Sequence, residues 1–164
     1  MIDLIVAGGG PAGLATALYA TRRGLDVVVV EPRQAPVDKA CGEGLMPPAV
    51  AGLRRLGAAA AGVPFHGIRY LADGVAVEGR FRTGPGLGVR RLRLHEALAA
   101  AAAAAGIRMV RGRVTELRQD EHGVTAAGLR ARWLVAADGL HSPVRRMVGL
   151  EPDPSQSRRA GRYG

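Results

Sequence analysis

The sequence is poor in aromatic residues, in cysteine and in long apolar runs. Aromatics make up 4% of the 164 residues, so alanine, valine and leucine must fill the core. A single cysteine, Cys41, excludes an internal disulfide and a cysteine-rich zinc site. The longest apolar run, residues 97–107, is mostly alanine and too short to cross a bilayer. We therefore expect no membrane span.

Signals for secretion and for metal binding are also missing. The first residues, Met1-Ile2-Asp3, include an acid and lack the basic start of a signal peptide. His66 and His122 have no partner at metal-ligand spacing. These features predict a soluble, cytoplasmic protein without a metal.

Acidic residues are scarce, since 14 aspartates and glutamates face 23 lysines and arginines, for a net charge of +9. Such a balance raises the question of nucleic-acid binding. The arginines are scattered, however, and no aromatic residues interleave with them as stacking platforms. The charge is better explained by a solvated surface that favours anionic cofactors, and we expect no nucleic-acid partner.

The first thirty residues have the pattern of a parallel crossover. Residues 2–7 predict a short buried strand, 14–23 a helix, and 26–30 a second buried strand that is rich in valine. A strand, a turn, a helix and a strand of this length form one unit of a parallel sheet.

A glycine-rich turn joins the first strand to this helix, with the sequence Gly8-Gly9-Gly10-Pro11-Ala12-Gly13. It fits the dinucleotide pattern G-x-G-x-x-G, and Glu31 follows 18 residues after Gly13 at the end of the second strand. Gly8 permits the tight turn, Gly10 lets a pyrophosphate approach the backbone, and the helix start offers free N–H groups. Glu31 can accept hydrogen bonds from ribose hydroxyls and disfavours a 2′-phosphate. The alternative is a glycine-rich turn without a ligand.

The rest of the chain alternates between helical and extended patterns. After a loop over 32–47, the sequence predicts a helix from Pro47 to Leu56, a hairpin over 65–82 that turns at Asp73-Gly74, and a flexible loop over 83–88. The later predicted elements are a helix over 91–105, a strand over 107–111, a hairpin over 113–127, a strand over 130–137 and a short helix from Ser142 to Val148.

Four stretches carry a wider resemblance: GGGPAG with Glu31-Pro32-Arg33, CGEGL at 41–45, Arg91-x-x-Leu94-His95-x-x-Leu98, and Asp138-Gly139-x-x-Ser142-x-x-Arg145. Over about residues 2–149, the chain resembles the N-terminal portion of the FAD-dependent monooxygenase superfamily. That superfamily has the para-hydroxybenzoate hydroxylase fold and includes geranylgeranyl-reductase-like flavoproteins.

The resemblance implies an α/β fold, Rossmann-like and FAD-binding. It would have three layers (ββα), a parallel sheet and an antiparallel β-meander, plus part of a substrate-domain sheet. Residues 1–150 would form the FAD-binding domain, with 65–82 as an inserted hairpin of a partial substrate domain. Residues 151–164 would be a tail leading into a missing C-terminal half, because family members carry a second Gly-Asp motif that this sequence lacks.

The resemblance also implies roles for single residues. Glu31 would bind the adenosine ribose, Arg91 would reach the ribityl–phosphate region, and Val114 would meet the adenine through its backbone. The full set of implied cofactor-binding residues is Gly8, Gly10, Pro11, Ala12, Gly13, Glu31, Pro32, Arg33, Cys41, Gly42, Arg91, Val114, Asp138 and Gly139. The alternatives are a surface arginine at Arg91 and a plain turn at Asp138-Gly139. We interpret His95 and His141 as structural or solvated.

Cys41 has three interpretations. Lys39 beside it favours a reactive thiol, but no histidine lies nearby in sequence to act as a base. The resemblance places this cysteine and Gly42 in the loop that runs under the flavin ring, where glycine allows backbone to pass close to a flat ring. The third interpretation is a loop residue without a role. The flavin-loop interpretation is favoured.

The resemblance predicts an FAD-dependent oxidoreductase, namely an NAD(P)H-dependent flavin monooxygenase acting on a small aromatic or polyketide-like substrate. A flavin-dependent reductase of isoprenoid double bonds and a non-catalytic FAD-binding module are the alternatives. Catalytic residues cannot be assigned. We also expect self-association through an exposed sheet edge near 65–82.

Overall fold

The computed structural model describes residues 1–38, 41 and 43–151. Strands within these residues are β1 (Ile2–Ala7), β2 (Val27–Glu31), β3 (Gly44–Leu45), β4 (Val63–Phe65), β5 (Gly67–Ala72), β6 (Val75–Arg80), β7 (Gly86–Gly88), β8 (Arg108–Arg111), β9 (Leu117–Asp120), β10 (Gly123–Ala126) and β11 (Leu129–Ala136). Helices within them are α1 (Pro11–Thr21), α2 (Pro47–Leu56), α3 (Arg91–Ala104) and α4 (Pro143–Met147).

The main sheet has the strand order β8-β2-β1-β11-β10-β9. The first four strands run parallel, and β10 and β9 continue from β11 as an antiparallel meander. Val6 of β1 lies between Val29 and Val135 in this register. The apolar runs of β1 and β2 suit this position, because strands inside a parallel sheet are covered on both faces. The predicted α/β fold with a parallel sheet and a meander is confirmed.

Alternate residues of β1 reach two separate cores. Val6 packs with Leu14 and Leu98, so α1 and α3 cover one face of the sheet. Ile5 packs with Val144 and with residues of the meander on the other face. This division follows from the period of two along a strand. Packing on both faces therefore holds β1 in place, and with it the start of the turn that follows.

Most predicted elements lie within a few residues of their expected ends, but two predictions need correction. The first helix begins at Pro11 rather than Leu14, because proline is accommodated at the first helical position. Residues 86–88, predicted as part of a flexible loop, form β7 between β3 and β4 in a second sheet. A Cβ at Gly86 would overlap the ring of Phe65, so glycine allows this close strand pairing.

The predicted hairpin over 65–82 is present as β5 and β6. Its turn residues Asp73 and Gly74 both have positive φ, at 47° and 80°, which matches the right-handed twist of the two strands. Within the described residues, these two strands pair only with each other. At the base, the rings of Phe65 and Phe81 meet edge to face with centroids 5.4 Å apart. No helix among the described residues is long and apolar enough to cross a membrane.

Candidate functional site

The glycine turn (residues 8–13) joins β1 to α1, and its glycines serve different purposes. A Cβ at Gly8, where φ is +108°, would overlap the carbonyl oxygen of Ala137. A Cβ at Gly13 would overlap the carbonyl oxygen of Gly8. At Gly10, by contrast, the nearest atom to a Cβ is Nη2 of Arg91, 4.0 Å away. Gly8 and Gly13 are therefore required by packing, whereas the space above Gly10 is open to a ligand.

The start of α1 can bind an anion. Gly10 is its N-cap and provides no side-chain cap, and Pro11 follows at the first helical position. N–H groups in the first turn of a helix have no partner within the helix and carry partial positive charge. The glycine turn therefore presents hydrogen-bond donors to the open space above Gly10.

Glu31 ends β2 and is buried, with 5% of its surface exposed. One carboxylate oxygen accepts the Gly9 N–H at 2.8 Å, and the other accepts the Arg33 N–H at 3.0 Å and its Nε at 2.8 Å. Burial raises the pKa of Glu31, but the hydrogen bonds from the Arg33 side chain and the two amides outweigh it and lower the pKa below its ordinary value. Glu31 is therefore a carboxylate fixed beside the glycine turn.

Arg91 begins α3 and is buried, with 7% of its surface exposed. Its backbone N–H donates to Oε1 of Glu43 at 2.9 Å. Its Nη1 is buried and has no hydrogen-bond partner among the described residues. A buried cationic donor without a partner is costly, and a cation is unfavourable at a helix start. The other terminal nitrogen, Nη2, is the atom nearest the space beside Gly10, so an anion there would meet this guanidinium.

Asp138 follows β11 and lies beside the glycine turn, because the preceding Ala137 meets Gly8. Its Oδ2 accepts the Val144 N–H at 3.2 Å, whereas its Oδ1 is buried without a partner among the described residues. Gly139 next to it has a φ of +99°, a conformation that favours glycine. The chain thus offers a second unpaired polar atom at the same edge of the sheet.

A cleft of about 490 Å³ at the carboxyl ends of the parallel strands joins Gly8, Glu31 and Asp138, whereas Gly10 and Arg91 do not line it. Its walls are Ala7, Gly8, Val30, Glu31, Pro32, Arg33, Arg113, Val114, Asp138, Leu140, His141 and Pro143. In open α/β sheets, ligands bind at this edge. The structure therefore groups Gly8, Glu31, Pro32, Arg33, Val114 and Asp138, which the sequence predicted separately.

The loop that contains Cys41 is less well connected to this cleft. Cys41 is exposed, and its Sγ accepts the Glu43 N–H at 3.4 Å. The predicted site residue Gly42 lies outside the described residues. The link to the site is through Glu43, which holds the first residue of α3. Within the described part of the chain, no cluster of three or more histidine, cysteine and acidic side chains is arranged to hold a metal.

Two residues of the site were missed by the sequence reasoning. Glu43 binds the backbone of Arg91. His95, interpreted from sequence as structural or solvated, is buried and contacts the carbonyl oxygen of Gly9 through Nε2 at 2.9 Å. One signal was available for His95, since it lies four residues after Arg91 and therefore on the same helix face.

A family model described as an FAD binding domain matches residues 1–162. The chain belongs to this family. This FAD binding domain is 38% identical to a menaquinone reductase of Mycolicibacterium smegmatis, over 90% of this chain and 40% of the relative. It is 34% identical to a rifampicin monooxygenase of Streptomyces venezuelae, over 92% of this chain and 34% of the relative. It thus spans about two fifths or less of these two relatives.

Solved structures of flavoproteins share the fold of this FAD binding domain. The p-nitrophenol 4-monooxygenase PnpA of Pseudomonas putida is 25% identical with a TM-score of 0.77, over 91% of this chain and 44% of that protein. The anhydrotetracycline hydroxylase OxyS of Streptomyces rimosus is 31% identical with a TM-score of 0.76, over 90% of this chain and 33% of that protein. The predicted resemblance to FAD-dependent monooxygenases is confirmed.

Proposed function

We propose that this FAD binding domain provides the cofactor site of an NAD(P)H-dependent flavin monooxygenase that acts on a small organic substrate. The observation that carries the proposal is the buried Arg91 guanidinium, whose Nη2 is the atom nearest the open space at Gly10 and whose Nη1 has no partner among the described residues. A guanidinium and the N-terminus of a helix converge there, as a pyrophosphate requires.

The residues of the cleft fit the other parts of FAD. Glu31 already accepts four hydrogen bonds, two of them from the half-exposed Arg33 side chain. It suits the ribose hydroxyls once that side chain turns aside and leaves two of these positions to them. Pro32, Arg33 and Val114 line the cleft beyond it and suit the adenine. The unpaired Oδ1 of Asp138 offers an acceptor near the glycine turn. Bound FAD would supply the redox chemistry, while this chain binds and orients it.

The substrate class is proposed from the structural neighbours. Two structural neighbours have names that specify oxygen insertion, one into p-nitrophenol and the other into anhydrotetracycline. These names support an aromatic or polyketide-like substrate. A reduced nicotinamide as donor is proposed from the resemblance to flavin monooxygenases alone. We assign residues 1–150 to the FAD-binding domain and 65–82 to part of a substrate domain. The exposed faces of β5 and β6 support the second assignment.

A reductase is the second candidate. Its support is the 38% identity to the menaquinone reductase, which exceeds the 34% to the rifampicin monooxygenase. Such an enzyme would use the same cofactor site and reduce a double bond of an isoprenoid substrate. In an enzyme containing this domain, product formation without oxygen would favour the reductase, and oxygen-dependent product would favour the monooxygenase.

Titration with FAD, followed by flavin fluorescence and absorption, tests the cofactor site directly. Arg91→Met should weaken FAD binding about tenfold or more, because a charge-assisted hydrogen bond contributes about 1.5–3 kcal/mol and tenfold corresponds to about 1.4 kcal/mol. Arg93→Met is the matched control, since Arg93 is exposed on the same helix and pairs with Glu96. Equal FAD affinity in wild type, Arg91→Met and Arg93→Met would contradict the proposal. Tighter binding of NAD than of FAD by the wild type would also contradict it.

Self-association and the cytoplasmic location stay predictions. The hairpin leaves apolar side chains in solvent, with Tyr70 66% and Leu71 72% exposed. Sedimentation of the chain over a range of concentrations would detect association through this surface.

A further inference from the structure

His95 is a buried histidine of α3 whose two ring nitrogens contact two different loops. Its Nε2 lies 2.9 Å from the carbonyl oxygen of Gly9 in the glycine turn. Its Nδ1 accepts the Val37 N–H from the loop after β2 at 3.4 Å. The ring is 2% exposed, so water does not compete for these contacts.

The two partners determine the tautomer of His95. A carbonyl oxygen can only accept, so Nε2 must carry the proton, and a backbone N–H can only donate, so Nδ1 must be unprotonated. Both contacts are satisfied by the neutral ring alone. A protonated ring would direct an N–H of Nδ1 against the N–H of Val37. His95 is therefore a fixed neutral connector between two loops.

The contact with Gly9 completes a clamp on the centre of the glycine turn. The Gly9 N–H is held by the Glu31 carboxylate, and the Gly9 carbonyl is held by His95. His95 also lies one helical turn after Arg91, whose Nη2 faces Gly10. The ring therefore adds a specific polar contact to the apolar packing that places α3, and with it the Arg91 guanidinium, against the turn.

We propose that His95 is a positioning residue that holds the glycine turn, the loop at Val37 and Arg91 in the arrangement that binds the dinucleotide. The proposal rests on the proposed FAD site. It assigns His95 no contact with the cofactor. Its effect on affinity comes through Gly9 and through the placement of α3.

Two substitutions separate positioning from simple packing. His95→Gln retains one donor and one acceptor, whereas His95→Leu fills similar space and leaves the Gly9 carbonyl and the Val37 N–H without partners. We expect FAD affinity within about threefold of wild type for Gln and a loss of about tenfold or more for Leu. Ala100→Gly, at an exposed position of the same helix, controls for a general loss of helix stability.

FAD affinity and thermal unfolding are measured for wild type, His95→Gln, His95→Leu and the alanine-to-glycine control. The proposal is overturned if His95→Leu binds FAD like wild type, or if Ala100→Gly loses as much affinity at the same loss of stability. Nitrogen-15 spectra of the imidazole in the FAD-free protein provide an independent test, and a protonated Nδ1 would also overturn it. If wild type binds no FAD while the expected tautomer is seen, the proposed function fails and the clamp stands as a structural feature.

Discussion

Gly10→Ala tests whether the open space at the glycine turn receives the cofactor. Gly10 has φ −72° and ψ 177°, which alanine adopts without strain, and the added Cβ would lie 4.0 Å from its nearest neighbour. Alanine stabilises by restricting the unfolded chain, about 0.4–1 kcal/mol. It loses a similar amount as a poorer N-cap. We therefore expect the free energy of unfolding to change by less than about 0.5 kcal/mol.

FAD binding should respond strongly to the same change. A methyl group at Gly10 keeps a phosphate from the first-turn amides and from Arg91. Losing one or two charge-assisted hydrogen bonds costs about 3 kcal/mol, or roughly a hundredfold in the dissociation constant. Gly13→Ala is the contrast, because its Cβ overlaps Gly8 and should destabilise the fold by about 3 kcal/mol or more. Flavin fluorescence titration measures the FAD affinity of the two variants, and urea unfolding measures their stability. Unchanged FAD affinity in a folded Gly10→Ala protein would refute the reasoning.

Two further predictions concern acidic and thiol groups near the site. Glu31→Gln should weaken FAD binding about tenfold and lower stability at pH 7. Because folding lowers the pKa of Glu31, its stabilisation is present above the ordinary value of 4.5 and is lost as the pH falls below it. Urea unfolding should therefore show the wild-type advantage shrinking in acid, and a constant difference would count against this role. Cys41→Ser should leave FAD affinity and any activity within about tenfold, since the thiol is exposed. Abolished flavin reduction after its alkylation would reinstate the nucleophile interpretation.

The parallel sheet could be predicted because its signals are local. The apolar runs of β1 and β2 and the glycine turn between them specify the strands, the crossover and the position of Glu31 within one short segment. The sheet of β3, β7 and β4 could not be predicted, because its strands have two or three residues and contain glycine and proline. Close backbone approach, at Gly86 above all, produces this sheet, and no periodicity indicates it.

The functional site, too, could be predicted from the sequence only in part. Spacing alone predicted Gly10 and Glu31, and the resemblance supplied Arg91. The contacts that fix these residues join distant segments, His95 with Gly9 across 86 positions and Glu43 with Arg91 across 48. Sequence spacing carries no information on such pairs. Their geometry follows from the packing of α3 against α1 and the sheet.

The hairpin of β5 and β6 is attached to the rest of the chain at its base, where the Phe65 and Phe81 rings meet and the Phe81 N–H donates to His66. None of the strands that lead to Gly8, Glu31 or Asp138 pairs with it in the described part of the chain. We therefore expect changes in its length or exposed residues to leave the glycine turn and the cleft intact. Under the proposed assignment of 65–82 to a substrate domain, natural variation or engineering could change specificity here while the cofactor site stays the same.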